Sequence, residues 1–142
     1  NIAKDAGYTS CLTTVVDLEK LFTEGENYGS RSLWAKEKSN DQIFNATLEI
    51  THPNSAQLID LTVSPTKDGQ CSYSYTRTSY FSESCIALSK SDLMKDTDYK
   101  TDINSKITLF KDSTDAQWLL LPAGAGCILQ KKEVGFRYNA QN

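Results

Sequence analysis

Histidine is almost missing from this chain, and most small-hydrolase chemistry goes with it. The one histidine, His52, sits in the stretch THPN beside Pro53, where a solvated turn residue is the expected reading. A serine, cysteine or threonine nucleophile normally needs such a base, so none is expected to be activated here. There is no G-x-S-x-G elbow and no P-loop. The GAG at 124–126 lacks the rest of a dinucleotide fingerprint and reads as hairpin geometry. Basic excess is missing too: 15 Lys and Arg against 18 Asp and Glu leave a net charge of −3. Lys131-Lys132 and the pair Lys36 and Lys38 are flanked or interrupted by glutamate, so they read as solvated faces. That pattern argues against nucleic acid, whose phosphates need clustered cations. Long apolar runs are absent as well. WLLLPAGAGCIL is shorter than a membrane helix and contains proline, so no membrane insertion is expected.

Metal-binding spacings are also lacking. The four cysteines, Cys11, Cys71, Cys85 and Cys127, are dispersed, without a CxxC pair or neighbouring histidines, which disfavours zinc. DTDYKTDIN offers oxygen ligands but not the glycine and terminal glutamate of an EF-hand loop. Eighteen scattered acids include some carboxylate pair, but sequence does not set two of them at a catalytic separation. The expectation is therefore no cofactor, no metal, no catalytic residue and no enzymatic activity; a carboxylate-dependent hydrolase is the remote alternative. Asn45-Ala46-Thr47 is a glycosylation triplet, but it falls within a predicted strand.

What is present is an ordinary globular composition, 39% apolar and 23% charged over 142 residues, which fits one domain spanning 1–142. The opening NIAKDAG reads as a mature or trimmed start. In TSCLTTVVDLEKLFTEGEN, apolar residues at 11, 12, 15, 16, 18, 21 and 22 make a helical stripe centred on Cys11, Val15, Leu18 and Phe22. Thr9 or Ser10 is placed to cap it, and Gly25 and Gly29 to end it.

After this helix the period changes to two. RSLWAKEK reads as a first strand and QIFNATLEI as a second, with Phe44, Ala46, Leu48 and Ile50 on one face. THPNSA is a turn. QLIDLTV follows, with Ile59, Leu61 and Val63 on one face, and Asp68-Gly69 then signals a hairpin. In CSYSYTRTSY, Cys71, Tyr73 and Tyr75 share a face, and the Ser/Thr ladder from Ser72 to Thr78 makes the wet one. SESCIALSKSDLMKD reads as one short helix or two turns with Ile86 and Leu93 inward, and KDTDYKTDINSK as a polar loop. KITLF, AQWLLL and CILQKKEVGFRY form a second strand group around the tight PAGAG turn, Trp118 to Leu121 being apolar on both faces. No sequence repeat appears. The fold class expected is α+β: an N-terminal helix packed on a mainly antiparallel meander sheet, braced by disulfides.

Two disulfides in an oxidising compartment account for an even, dispersed cysteine count. A continuous strand from Cys71 to Tyr80 carries the chain roughly 30 Å, and the five residues back to Cys85 recover at most about 17 Å. A local Cys71–Cys85 bond, with Cys11–Cys127, is therefore disfavoured, since bonded Cα atoms lie within about 7 Å. Three reversals after the helix, the fourth strand begins at the end where the helix began. Cys11–Cys71 and Cys85–Cys127 is the preferred pairing.

The aromatic content points to binding surface or core. Most of Tyr73, Tyr75, Trp34 and Trp118 are assigned to the core, and Tyr80 and Phe81 to exposed contact points beside the tip Pro122, Ala123, Gly124, Ala125 and Gly126. The function expected is a small exported binding protein, periplasmic or extracellular, that inhibits or neutralises another protein. The alternative is an accessory protein of the cell envelope or a secretion system. Neither the partner's identity nor the oligomeric state follows from sequence.

Overall fold

A computed structural model describes residues 11–38, 41–66 and 69–136. Helix α1 (Leu12–Thr23) is followed by strands β1 (Tyr28–Trp34), β2 (Phe44–His52), β3 (Ser55–Pro65) and β4 (Cys71–Phe81). A short helix α2 (Cys85–Ser89) and a 3-10 turn (Asp92–Met94) lead to β5 (Asp98–Asp102), β6 (Thr108–Lys111), β7 (Gln117–Ala123) and β8 (Gly126–Gly135). The strands form one antiparallel sheet in the order β1-β2-β3-β4-β8-β7-β6-β5, so the α+β meander expectation holds. Each group of four strands is preceded by its helix, an order the sequence does not advertise as a repeat. Contacts divide the chain into two compact units, one running up to Tyr75 and resuming at Val134, the other Thr76–Glu133.

In the first unit, the alternation in β2 and β3 is realised as a buried face. Phe44, Ala46, Leu48, Ile50, Ile59, Leu61 and Val63 are fully buried, and Phe44↔Val63, Ala46↔Leu61 and Leu48↔Ile59 are direct cross-strand partners. Helix α1 covers them with Cys11, Val15, Leu18 and Phe22, the stripe its spacing specified. Phe22 meets Tyr75 edge-on, with ring centroids 4.7 Å apart. Gly25, at φ +76°, follows the helix end as expected. The cap differs: Cys11 occupies the N-cap position without a side-chain bond, while Thr9 and Ser10 lie outside the described residues. The disulfide Cys11–Cys71, with Cα atoms 5.9 Å apart, staples the start of α1 to the start of β4.

Strand β1 begins three residues before RSLWAKEK and stops at Trp34. Its ladder with β2 runs from Tyr28↔Ile50 to Trp34↔Phe44, and Lys38 beyond it takes a left-handed backbone at φ +53°. The turn THPNSA is the two-residue connection closed by His52↔Ser55. At the next reversal Gly69 adopts φ +77°, and Asp68 lies outside the described residues. Trp34, assigned to the core from sequence, is instead 42% exposed, because it ends the outermost strand. The Ser/Thr ladder of β4 is half-buried rather than fully wet, since β3 and β8 flank that strand. Asn45 of the glycosylation triplet turns its amide to Asp60 Oδ1 at 2.7 Å and Thr62 Oγ1 at 3.0 Å, tying β2 to β3.

In the second unit, Leu88, Met94, Leu120, Cys127 and Leu129 form the buried core, with Phe81, Phe110 and Trp118 packed against it. Two expectations are corrected. Ile86 and Leu93 are exposed, at 71% and 49%, and Leu88 and Met94 point inward instead. The reason is the Cys85–Cys127 disulfide, which fixes the rotation of α2: Leu88, three residues on, shares the face of Cys85, whereas Ile86 is turned away. KDTDYKTDINSK is likewise not merely a loop. Its middle forms β5, an edge strand whose five residues are all exposed and which, among the described residues, pairs only with β6.

Candidate functional site

The tip of the β7–β8 hairpin is built by a two-residue connection. Pro122↔Cys127 and Ala123↔Gly126 are the last paired positions, leaving Gly124 and Ala125 to reverse the chain. Gly124 carries φ +59° and Ala125 has no positive φ, the signature of a type II′ turn, in which glycine leads. Cys127 immediately follows, and its bond to Cys85 holds the Cα atoms 4.9 Å apart. That bond anchors the base of the tip to α2. Ser84 caps this helix by accepting from the Ala87 amide at 3.2 Å.

Residues distant in sequence meet here. Gly126 is packed so closely that a β-carbon would collide with the Tyr80 hydroxyl and the Phe81 carbonyl oxygen, with Tyr80 Cζ only 2.6 Å away. Glycine is required by this approach rather than by backbone angle, since its φ is not positive. The structure therefore brings Tyr80, Phe81 and the tip into one place. Their roles differ, however. Tyr80 is 59% exposed, and Pro122, Gly124 and Ala125 are exposed, but Gly126 and Cys127 are buried. Phe81 presents its carbonyl to the tip and turns its ring to the core, because successive strand residues face opposite sides.

Two exposed apolar residues near the tip were not among the expected contact points. Ile86 adjoins Cys85 and hence the disulfide, and Leu121 is 39% exposed beside Pro122. The first was hidden because the disulfide, not the local pattern, sets the phase of α2. No charged side chain occurs from Ala116 to Gln130. The hairpin itself is thus uncharged and partly apolar; beside it stand the Tyr80 hydroxyl and, in the loop between Phe81 and Cys85, the exposed Glu83.

Polar groups elsewhere make local contacts within their own strands and turns. Asp112 Oδ1 accepts from the Thr114 hydroxyl at 2.6 Å and from the amides of Thr114 and Ala116, while Oδ2 accepts from the Trp118 indole at 2.9 Å. Burial pushes this carboxyl up, but the bonds from Thr114, Trp118 and Ala116 outweigh it and hold it below its ordinary 3.8. Lys131 stands over the Trp118 ring at 5.2 Å. Tyr99 donates to Asp102 at 3.1 Å along β5. His52 is half-buried at the end of β2. Among the described residues, no group of three His, Cys, Asp or Glu side chains converges as metal ligands.

The two disulfides, with Cys11, Cys71, Cys85 and Cys127 all consumed, point to an oxidising, non-cytoplasmic compartment. No helix among the described residues is long and apolar enough to cross a membrane. Comparisons with protein-family models, with curated proteins and with solved structures found no match to this chain.

Proposed function

We propose that the protein is an exported binding protein, periplasmic or extracellular, that inhibits or neutralises another protein by engaging it through the β7–β8 tip and Tyr80. The observation that carries this reading is the convergence at Gly126. There a disulfide-anchored type II′ tip and an exposed tyrosine from β4 lie together, and the hairpin carries no charged side chain of its own. A pre-ordered tip loses less conformational entropy on docking than a free loop does. Pro122, Ala125 and Tyr80 supply apolar area and a single polar handle, which suits entry into a cleft.

The test is parallel affinity capture from periplasmic and extracellular extracts with the wild-type protein and with Ala125→Glu. The substitution puts one charge on an exposed turn residue, so the fold is retained while the complex would bury an unpaired carboxylate. A partner held by wild type and weakened about tenfold or more by Ala125→Glu supports the reading. Equal retention by both proteins reduces the tip to a turn.

A further inference from the structure

We propose that the free edge of β1 is a second docking site, one that takes an extended segment of another protein by strand addition, with an acidic side chain set against Arg31. This site lies in the first unit and is independent of the tip described above.

The β1–β2 ladder fixes which backbone groups of β1 face outward. Thr51 N donates to Asn27 O at 2.8 Å just below the β1–β2 pairing. Antiparallel ladders alternate, so Gly29, Arg31 and Leu33 also direct their backbone groups to β2, while Tyr28, Ser30, Ser32 and Trp34 direct theirs away. β1 ends the strand order, so among the described residues no strand receives those groups. The Ser30 carbonyl is covered instead by the chain's own Arg31, whose Nη1 donates to it at 2.8 Å at the surface.

The two ends of the sheet are treated differently. β5 carries Asp98, Lys100 and Asp102 and a register break between Tyr99 and Thr101, devices that discourage an added strand. β1 has neither a bulge nor a proline, and its single charge is Arg31. Leu33, at 72% exposure, borders with Trp34 and Ile43 a groove of about 450 Å³ that would receive an apolar side chain. Arg31 forms no ion pair with any described residue.

Charge selects the occupant. A second copy pairing edge to edge over all of β1 would centre on Arg31 and set it directly opposite the other copy's Arg31. That position is non-hydrogen-bonded, where side chains stand closest, so the like charges repel. Any other symmetric register shortens the ladder. An incoming segment with Asp or Glu at that place satisfies the guanidinium, which then leaves the Ser30 carbonyl free to accept the new strand's amide.

The probe is a blocked heptapeptide of threonine and valine with a central glutamate, titrated into the ¹⁵N-labelled chain beside a twin with a central lysine. We expect saturable shifts at the amides of Tyr28, Ser30, Ser32 and Trp34. The glutamate peptide should bind about fivefold more tightly than the lysine twin. Arg31→Gln should abolish that preference and Arg31→Glu invert it, with the remaining amide spectrum verifying the fold. Equal binding of the twins, shifts confined to other strands, or no shifts at millimolar peptide would overturn the assignment. So would a β1-mediated dimer in sedimentation velocity, which would give the edge to a second copy.

Discussion

Replacing Gly126 with alanine tests the convergence of β4 with the hairpin tip through its energetics. The added methyl would meet the Tyr80 hydroxyl and the Phe81 carbonyl. The tyrosine can yield, because its side chain is largely exposed and free to swing outward. The carbonyl cannot, because it belongs to the backbone of β4 and the Phe81 ring is packed in the core. Overpacking of this kind typically costs about 1–3 kcal/mol. Against it stands the stiffer unfolded chain of alanine, about 0.4–1 kcal/mol in the variant's favour, since the backbone here is compatible with alanine. The net loss is therefore up to about 2.5 kcal/mol, and the deficit against a glycine-to-alanine change that meets no neighbour is about 1–3 kcal/mol. Urea unfolding should show it as a lower midpoint with an unchanged slope. Gly29→Ala is the control: nothing lies within 4 Å of a β-carbon there and its φ is not positive, so it should be neutral or slightly stabilising. Adding Tyr80→Ala to Gly126→Ala should recover only the tyrosine's share. If Gly126→Ala unfolds at the same urea concentration as Gly29→Ala, the close approach is refuted.

Three further outcomes follow from the packing. Leu88→Ala should cost about 2–5 kcal/mol, and Ile86→Ala less than about 0.5, measured by thermal and urea unfolding; the reverse order would mean that α2 is rotated from the observed phase. Replacing Cys11 and Cys71 together with alanine opens a loop spanning 60 residues and should cost about 4 kcal/mol by chain entropy alone, read from the urea midpoint. Asp112→Ala should cost about 2 kcal/mol near neutral pH through its lost hydrogen bonds. The wild-type Asp112 carboxyl titrates below its ordinary 3.8, so its stabilisation is fully present above that value and disappears as pH falls through the lowered one. The stability gap between wild type and Asp112→Ala should therefore narrow in acid, and a gap that widens would contradict the network.

The parts of this fold that were legible in the sequence are those where burial imposes a local period. In β2 and β3 one face is wholly buried, so Phe44, Ala46, Leu48 and Ile50 alternate with polar neighbours and announce the strand. The stripe on α1 is legible for the same reason. The disulfide pairing followed from counting strand reversals, because a continuous β4 separates Cys71 from Cys85. Where no burial acts, no period survives. β5 is exposed along its whole length and reads as loop. Ile86 and Leu93 misled because a five-residue helix has no stripe of its own, and a covalent bond to β8 sets its phase. The extent of β1 was blurred at both ends, since an outermost strand has one neighbour and half-exposed side chains. At the candidate site, the tip could be read from PAGAG, and Tyr80 and Phe81 from their place at a strand end. That Gly126 touches both depends on β8 lying beside β4, a pairing across more than forty residues of chain that no local pattern records.

The central claim, that the tip and Tyr80 form the partner-binding surface, is tested most directly by hydrogen–deuterium exchange on the complex with a captured partner. Slowed exchange is expected at the amides of Gly124 and Ala125 and around Tyr80, with β5 and α1 unchanged. A complex in which the tip exchanges as in the free protein, while protection falls elsewhere, would contradict it.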